Sequence, residues 1–218
     1  MKNDAYLETS AALEDSLGEL SFAAEKGSYV RAKRAMDIVF ALIGIALSIP
    51  IVLITIICIY IESPGPVFYL QERVGYRYRL FKVIKLRSMR LNAEKDGAQW
   101  AQKNDPRVTK VGAFIRKTRI DELPQLINVL MGDMSIVGPR PERPEFTSQF
   151  EREIPGFSRR LFAKPGLTGW AQVNGGYDIT PEEKLKLDMY YIRNASLRLD
   201  WKIVFKTVKV VLTGEGAR

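Results

Sequence analysis

Apolar and polar positions alternate along this chain in several distinct rhythms. No charged residue occurs from 38 to 61. A helix needs about 20 apolar residues to cross a bilayer core, so this run is long enough. Residues 67–72 and 80–86 have the composition of two short strands around Gly75, which predicts a β-hairpin. The rhythm then becomes helical. The segment before Asp121 is predicted to turn Phe114 and Ile115 inward and Arg116, Lys117 and Arg119 outward. Leu123, Leu126, Ile127 and Leu130 then make one apolar face of a short helix, with Gly132 placed to end it. Thr180-Pro181-Glu182-Glu183 has the form of a capping box with proline at the first helical position. The helix it opens runs through Leu185, Leu187, Tyr190 and Tyr191 toward Arg193. Asp200 is placed to cap a last helix, with Trp201, Val204, Phe205, Val208, Val211 and Leu212 on one face and Lys202, Lys206 and Lys209 opposite. That pattern suits a helix in a membrane interface. It suits a core-facing helix with a solvated back equally well.

The long apolar run has an interruption. Pro50 stands near its middle beside Ser48, and proline frees a backbone carbonyl one turn earlier. Basic residues flank both ends: Arg31, Lys33 and Arg34 before it, and Arg73, Arg77, Arg79, Lys82, Lys85, Arg87 and Arg90 after it. By the positive-inside rule both flanks belong to the cytoplasm. A helix bent at Ser48 and Pro50 that returns to its own side satisfies both. A kinked spanning helix is the other solution.

Composition narrows the chemistry. A net charge of +8 suits an anionic membrane surface, nucleic acid or a phosphorylated substrate. One cysteine, Cys58, rules out a disulfide within the chain. The absence of histidine excludes histidine acid–base schemes and histidine-ligated zinc, so a catalytic metal would be a hard cation on carboxylates and phosphates. No repeat, P-loop or Gly-rich nucleotide fingerprint occurs. Residues 1–30 are predominantly acidic, unlike a secretory signal.

The chemistry gathers around Asp121-Glu122, with Arg116, Lys117 and Arg119 before it and Gly138-Pro139-Arg140-Pro141-Glu142-Arg143-Pro144-Glu145 after it. One reading is structural. Pro124 tolerates only a first helical turn, so Asp121 lies at the N-cap and Glu122 faces the helix dipole. The other is catalytic. A carboxylate among arginines stays ionised and can attack phosphorus, while Glu122 holds a divalent cation or moves protons. The Pro-rich segment is predicted to be a rigid loop that presents Arg140 for bidentate phosphate contacts.

The run Arg-Lys-Thr-Arg-Ile-Asp-Glu-Leu-Pro-Gln-Leu-Ile-Asn-Val-Leu-Met-Gly-Asp-Met-Ser-Ile-Val-Gly-Pro-Arg-Pro resembles the bacterial sugar transferase family, the monotopic phosphoglycosyl transferases. The likeness extends from about Lys33 to the C-terminus. It takes in Gln71, Arg73 and Gly75, the block Lys85-x-Arg87-Ser88-Met89, the segment Asp105-Pro106-Arg107 and the segment from Lys164 to Gly175. Two positions depart from it. Lys164 stands where arginine is usual, and Gly176 replaces a basic residue that some members carry at the active site.

The resemblance implies a mostly helical α+β fold: an acidic segment (1–30), a re-entrant membrane helix broken at Ser48 and Pro50 (31–64), and a small cytosolic catalytic domain with a short β-hairpin and interfacial amphipathic helices (65–218). It implies transfer of a sugar-1-phosphate from a UDP-sugar to polyprenyl (undecaprenyl) phosphate with release of UMP, at the cytoplasmic face of the bacterial plasma membrane, as the first membrane step of exopolysaccharide, capsule or O-antigen synthesis. Asp121 would be the nucleophile and Glu122 its acidic partner, and the two would hold Mg2+. Lys85, Arg116, Arg140 and Arg143 would bind substrate. Membrane phospholipids are implied partners, nucleic acid is not, and a homo-oligomer stays open. Asp105 fits a structural cap better than a catalyst. A basic, membrane-anchored binding protein without catalysis is the competing reading of the composition. It leaves the Asp-Glu pair and the proline-framed arginine unexplained.

Overall fold

The computed structural model describes residues 27–95, 97, 105–175 and 179–213, with side chains as far as 210. The acidic segment 1–26, Gly176 and the Val211 and Leu212 side chains lie outside the described residues.

Helix α1 (Gly27–Glu62) carries the apolar run and continues through Pro50. It is the one described helix long and apolar enough to cross a membrane. Ser48 donates to the Ile45 carbonyl at 3.1 Å, one turn back in the segment that proline disturbs. The faces of α1 are reversed relative to a soluble amphipathic helix. Asp37, Ala41, Ser48, Thr55 and Ile59 are buried against the protein, whereas Leu42, Leu47, Leu53, Ile54 and Ile57 face outward. Small and polar residues on the inner face let the backbone come close, and Gly44 lies directly beneath Leu126.

Both ends of α1 are tied to the same domain. At the start, Arg34 donates to the carbonyls of Val129 (2.6 Å) and Leu130 (2.7 Å), and Asp37 accepts from the Ser135 hydroxyl and the Ile136 N–H, both at 2.9 Å. At the other end Glu62 accepts the N–H groups of Lys110 (2.7 Å) and Val111 (2.9 Å).

Strands β1 (Phe68–Val74) and β2 (Leu80–Leu86) form the expected antiparallel hairpin, with Tyr69 opposite Lys85. Helix α2 (Lys110–Lys117) is capped by the Thr109 hydroxyl. Helix α3 (Gln125–Met131) ends at Gly132, whose φ of 89° is the left-handed C-cap predicted for it. Asn128, fully buried, joins α3 to the hairpin: its Oδ1 accepts from the Ile84 N–H at 3.0 Å and its Nδ2 donates to the Lys82 carbonyl at 2.8 Å. The side chain thus acts as one more strand residue beside Lys85.

A second, parallel sheet of β3 (Ser135–Val137) and β4 (Gly166–Thr168) was not expected, because three-residue strands carry no periodicity to read. Helices α4 (Pro144–Glu153), α5 (Trp170–Asn174), α6 (Pro181–Arg193) and α7 (Leu197–Thr213) complete the fold. One core joins Val137, Met189, Tyr191, Ile192 and Ile203; another joins Ala41 of α1 to Phe81, Val83, Val129 and Met134.

The capping box of α6 is present as predicted. Other local expectations change. The Pro-rich loop ends at Arg143, because Pro144 takes the first position of α4, where its missing N–H costs nothing. Phe114 and Ile127 face outward and Ile115 is buried. Asp200 lies inside α7, accepting from Tyr29 (2.8 Å), Lys33 (3.0 Å) and Tyr191 (2.8 Å), while Ser196 bonds the free N–H of Leu199 in the first turn. Part of the apolar stripe of α7 also faces out: Trp201, Phe205 and Val208 are exposed, and Trp201 meets Phe40 of α1 edge-on at 5.3 Å. Burial falls on Asp200 and Ile203, with Val204 of the stripe packed against the core beside them, so the stripe is split between the core and the outside.

Candidate active site

A cleft of about 560 Å³ opens between the hairpin, the α2–α3 connection and the 138–143 loop, within the size range of small-ligand sites. Asp121, Glu122, Lys85, Arg116, Arg140 and Arg143 all line it. The structure therefore brings every predicted catalytic and substrate-binding residue to one cavity. Ser48 and Pro50 are in α1, outside it.

The Asp-Glu pair is not placed by a helix cap. Arg119 adopts a left-handed conformation (φ 60°) that ends α2. A single 3-10 turn, Ile120–Glu122, follows, and Pro124 precedes α3 as its N-cap with helical dihedrals. Burying Ile120 among Leu86, Ile115 and Ile59 fixes the turn from behind. The turn points Asp121 into the cleft and leaves the helix start to Pro124, so the capping role expected for Asp121 is not taken.

The two carboxylates differ sharply. Glu122 accepts from Lys85 at 2.9 Å and from Arg140, with Arg119 at 3.9 Å. Burial alone would raise its pKa, but Arg140 and Lys85 outweigh burial and hold it well below the usual range. Asp121 is just as buried, yet among the described residues no hydrogen bond or ion pair within 4.0 Å engages its carboxylate. Burial, then the negative charge of Glu122, push its pKa up to about 6, against the pull of Lys85, Arg116 and Arg140. It is still mostly ionised at pH 7. Its ionisation is thus less secure than a ring of arginines alone would make it, because desolvation exceeds their attraction.

Arg140 is presented by a loop locked onto the β4 segment. A Cβ on Gly138 would lie 2.2 Å from the Lys164 carbonyl oxygen, and one on Gly166 would lie 2.1 Å from the Gly138 nitrogen. Only glycine allows the two backbones to touch there. Lys164 contributes this backbone contact, and its side chain is not among the residues lining the cleft.

The sequence profile of the family described as bacterial sugar transferase matches residues 28–214. The chain belongs to the bacterial sugar transferase family. Among its relatives, a protein of Aeromonas hydrophila named UDP-N-acetylgalactosamine-undecaprenyl-phosphate N-acetylgalactosaminephosphotransferase is 54% identical over 193 residues, covering 87% of this chain and 46% of the relative. Proteins named UDP-glucose:undecaprenyl-phosphate glucose-1-phosphate transferase are 45% identical in Escherichia coli K12 (81% of this chain, 39% of the relative) and 43% identical in Caulobacter vibrioides (85% and 71%). The chain spans less than half the length of the first two.

Sequence reasoning missed the far wall of the cleft in this family member. Glu142 is buried and paired with Lys184, with Arg160 and Arg73 each at 3.7 Å. Burial opposes ionisation there, but Lys184, Arg160 and Arg73 bring its pKa down to about 2. Arg160 also binds Asp188 at 2.7 Å and the Arg140 carbonyl at 2.7 Å. Arg73 donates to the Pro141 carbonyl at 3.0 Å. Lys184 and Asp188 sit on α6 with no local signal to mark them. Arg143 reaches the cleft but bonds Glu94 at 2.8 Å rather than the Asp-Glu pair. Asp105 binds the Arg107 N–H and guanidinium, a structural role as expected, although the cap of α2 is Thr109.

Proposed function

We propose that this chain transfers a sugar-1-phosphate from a UDP-sugar to polyprenyl phosphate and releases UMP. The observation that carries the reading is the contrast within the Asp-Glu pair: Glu122 is neutralised by cations, while Asp121 faces the cleft without a bonded partner among the described residues and with a pKa near neutrality. A free, partly desolvated carboxylate among cations is equipped to attack a phosphate ester. The relatives' names supply the substrate class.

In the first step an Asp121 oxygen attacks the β-phosphorus of the donor. The bond from that phosphorus to the bridging oxygen breaks, and UMP leaves with the electron pair. In the second, an oxygen of the lipid phosphate attacks the same phosphorus and the bond to Asp121 breaks, which regenerates the carboxylate and yields a polyprenyl-diphosphate-sugar. Arg140 and Lys85 stand beside the pair to meet phosphate oxygens.

Magnesium is held through one or two carboxylates plus substrate phosphates rather than by an all-protein cage. The two adjacent carboxylates that line the cleft, Asp121 and Glu122, fit that mode. Asp121 and Glu122 would hold the ion, Glu122 by giving up Lys85 or Arg140, and the ion would screen the diphosphate and stabilise departing UMP.

The membrane arrangement belongs to the same proposal. The two ends of α1 rest on one domain, both flanks are basic, and the aliphatic face of α1 continues into exposed Trp201 and Phe205 of α7. These features support a re-entrant helix, with the cleft at the cytoplasmic surface and α7 against phospholipid.

The test is to incubate the solubilised protein with UDP-sugars, Mg2+ and undecaprenyl phosphate, and to identify the nucleotide. UDP-N-acetylgalactosamine comes first, since the 54% identical relative is named for it. UMP in multiple turnover that requires lipid phosphate is expected. Release of UDP means cleavage of the sugar–oxygen bond and sinks the aspartyl route.

A further inference from the structure

Arg87 has one edge that the fold leaves unused. The residue is 7% exposed and follows β2 directly. Its backbone N–H donates to the Val67 carbonyl at 2.8 Å. One terminal nitrogen, Nη2, donates to the Ser63 carbonyl at the end of α1. The other, Nη1, is buried without a hydrogen-bond partner among the described residues. Buried donors in folded proteins nearly always have acceptors, and an exception asks for one from outside the chain.

Gly65 packs close to Nη1: a Cβ there would stand 3.0 Å from Nη1 and 3.1 Å from Leu91, and its φ of 131° itself calls for glycine. Arg87 lines the same cleft as Asp121. It follows Lys85 by two residues along extended chain, so the two side chains fall on one side about 7 Å apart, and Lys85 binds Glu122. The rim at this end sets Phe68 and Leu91, 46% and 62% exposed, beside exposed Arg90 and Glu94. A guanidinium edge between apolar rim residues, a further arginine and the Asp-Glu pair suits a phosphate carried on a hydrocarbon chain.

We infer that Arg87 binds the phosphate of the lipid acceptor, donating from Nη1 to a phosphate oxygen at the end of the cleft nearest the exit of α1. This rests on the transfer reaction proposed above and assigns its second substrate a place separate from Arg140. The shared chemistry is a lipid-borne phosphate, which either a polyprenyl monophosphate or a bulk phospholipid headgroup could supply.

The experiment uses the full chain in phosphatidylcholine nanodiscs. Binding of undecaprenyl phosphate, undecaprenol and phosphatidylglycerol is titrated for wild type, Arg87→Gln and Arg87→Lys, and KM is measured for lipid acceptor and UDP-sugar. Arg87→Gln is expected to weaken undecaprenyl phosphate binding tenfold or more and to leave undecaprenol unaffected. It raises the acceptor KM by a similar factor while the donor KM moves less than threefold. Arg87→Lys recovers part of the loss. Equal shifts in both KM values, or equal loss of undecaprenol, reduce Arg87 to a clamp on Ser63 and overturn the assignment. Equally tight phosphatidylglycerol binding gives the site to bulk lipid and also overturns it. Phosphate-dependent binding that is lost in Arg87→Gln, in a wild-type protein that releases no UMP, keeps the site and rejects the transfer reaction instead.

Discussion

Asp121 and Glu142 line the same cleft and are equally buried, at 8% and 7% exposure. Their surroundings send them in opposite directions. Glu142 has Lys184, Arg160 and Arg73 around it, and its pKa falls to about 2. Asp121 has no directly bonded cation among the described residues and an acidic neighbour, and its pKa rises to about 6. Burial penalises both charges. What differs is whether cations sit within bonding distance, and that decides which acid is spent on structure and which stays available to react.

The comparison is tested most severely at Asp121. Asp121→Asn is expected to lower UMP release by roughly 10⁴-fold or more, since an amide cannot replace the nucleophile. The fold should stay intact or gain stability. Residual turnover within tenfold of wild type would remove Asp121 from the reaction. Glu142→Gln should do the reverse. It leaves Lys184 and Arg73 without their carboxylate, while Arg160 keeps Asp188, and costs on the order of 3–5 kcal/mol of stability, read by denaturant unfolding. A stability within 1 kcal/mol of wild type would mean that the cations had found water instead.

The pH dependence separates the two acids next. Asp121 has a folded pKa raised from 3.8 to about 6, so its contribution is most favourable below 3.8 and is lost as pH rises toward 6, about 3 kcal/mol in all. Glu142 is lowered from 4.5 to about 2, so its contribution is present above 4.5 and is lost as pH falls toward 2, again about 3 kcal/mol. Unfolding curves from pH 3 to 7 should lose the first slope in Asp121→Asn and the second in Glu142→Gln. For the same reason kcat/KM should fall about tenfold per pH unit below 6, as Asp121 takes up its proton. A flat profile down to pH 5 would place the working pKa elsewhere.

The smallest expected effect tests whether the Glu142 cluster serves the Asp121 side. Arg160 holds the Arg140 carbonyl, and Arg140 binds Glu122. Arg160→Lys should keep the charge but lose the fork. It is expected to lower kcat about tenfold, with an unchanged pH midpoint and a small change in stability. A shifted midpoint would show instead that the clusters are coupled through charge.

The sequence alone determined much of this protein. Covalent pattern fixes the hairpin, the α6 capping box, the Gly132 helix stop and the long apolar helix, because each depends on neighbours within a few residues. The motif from Arg116 to Pro141 carries the family and picks out Asp121, Glu122 and Arg140. Tertiary structure decided what local pattern cannot hold. It set which side of α7 and which of Phe114 and Ile115 faces inward, since burial depends on what packs opposite. It brought Glu142, Lys184, Arg160 and Asp188 together from segments with no mutual signal. And it gave the two neighbouring carboxylates unequal pKa values, because a pKa is set by desolvation and by charges a few ångströms away in space, most of them distant in the chain.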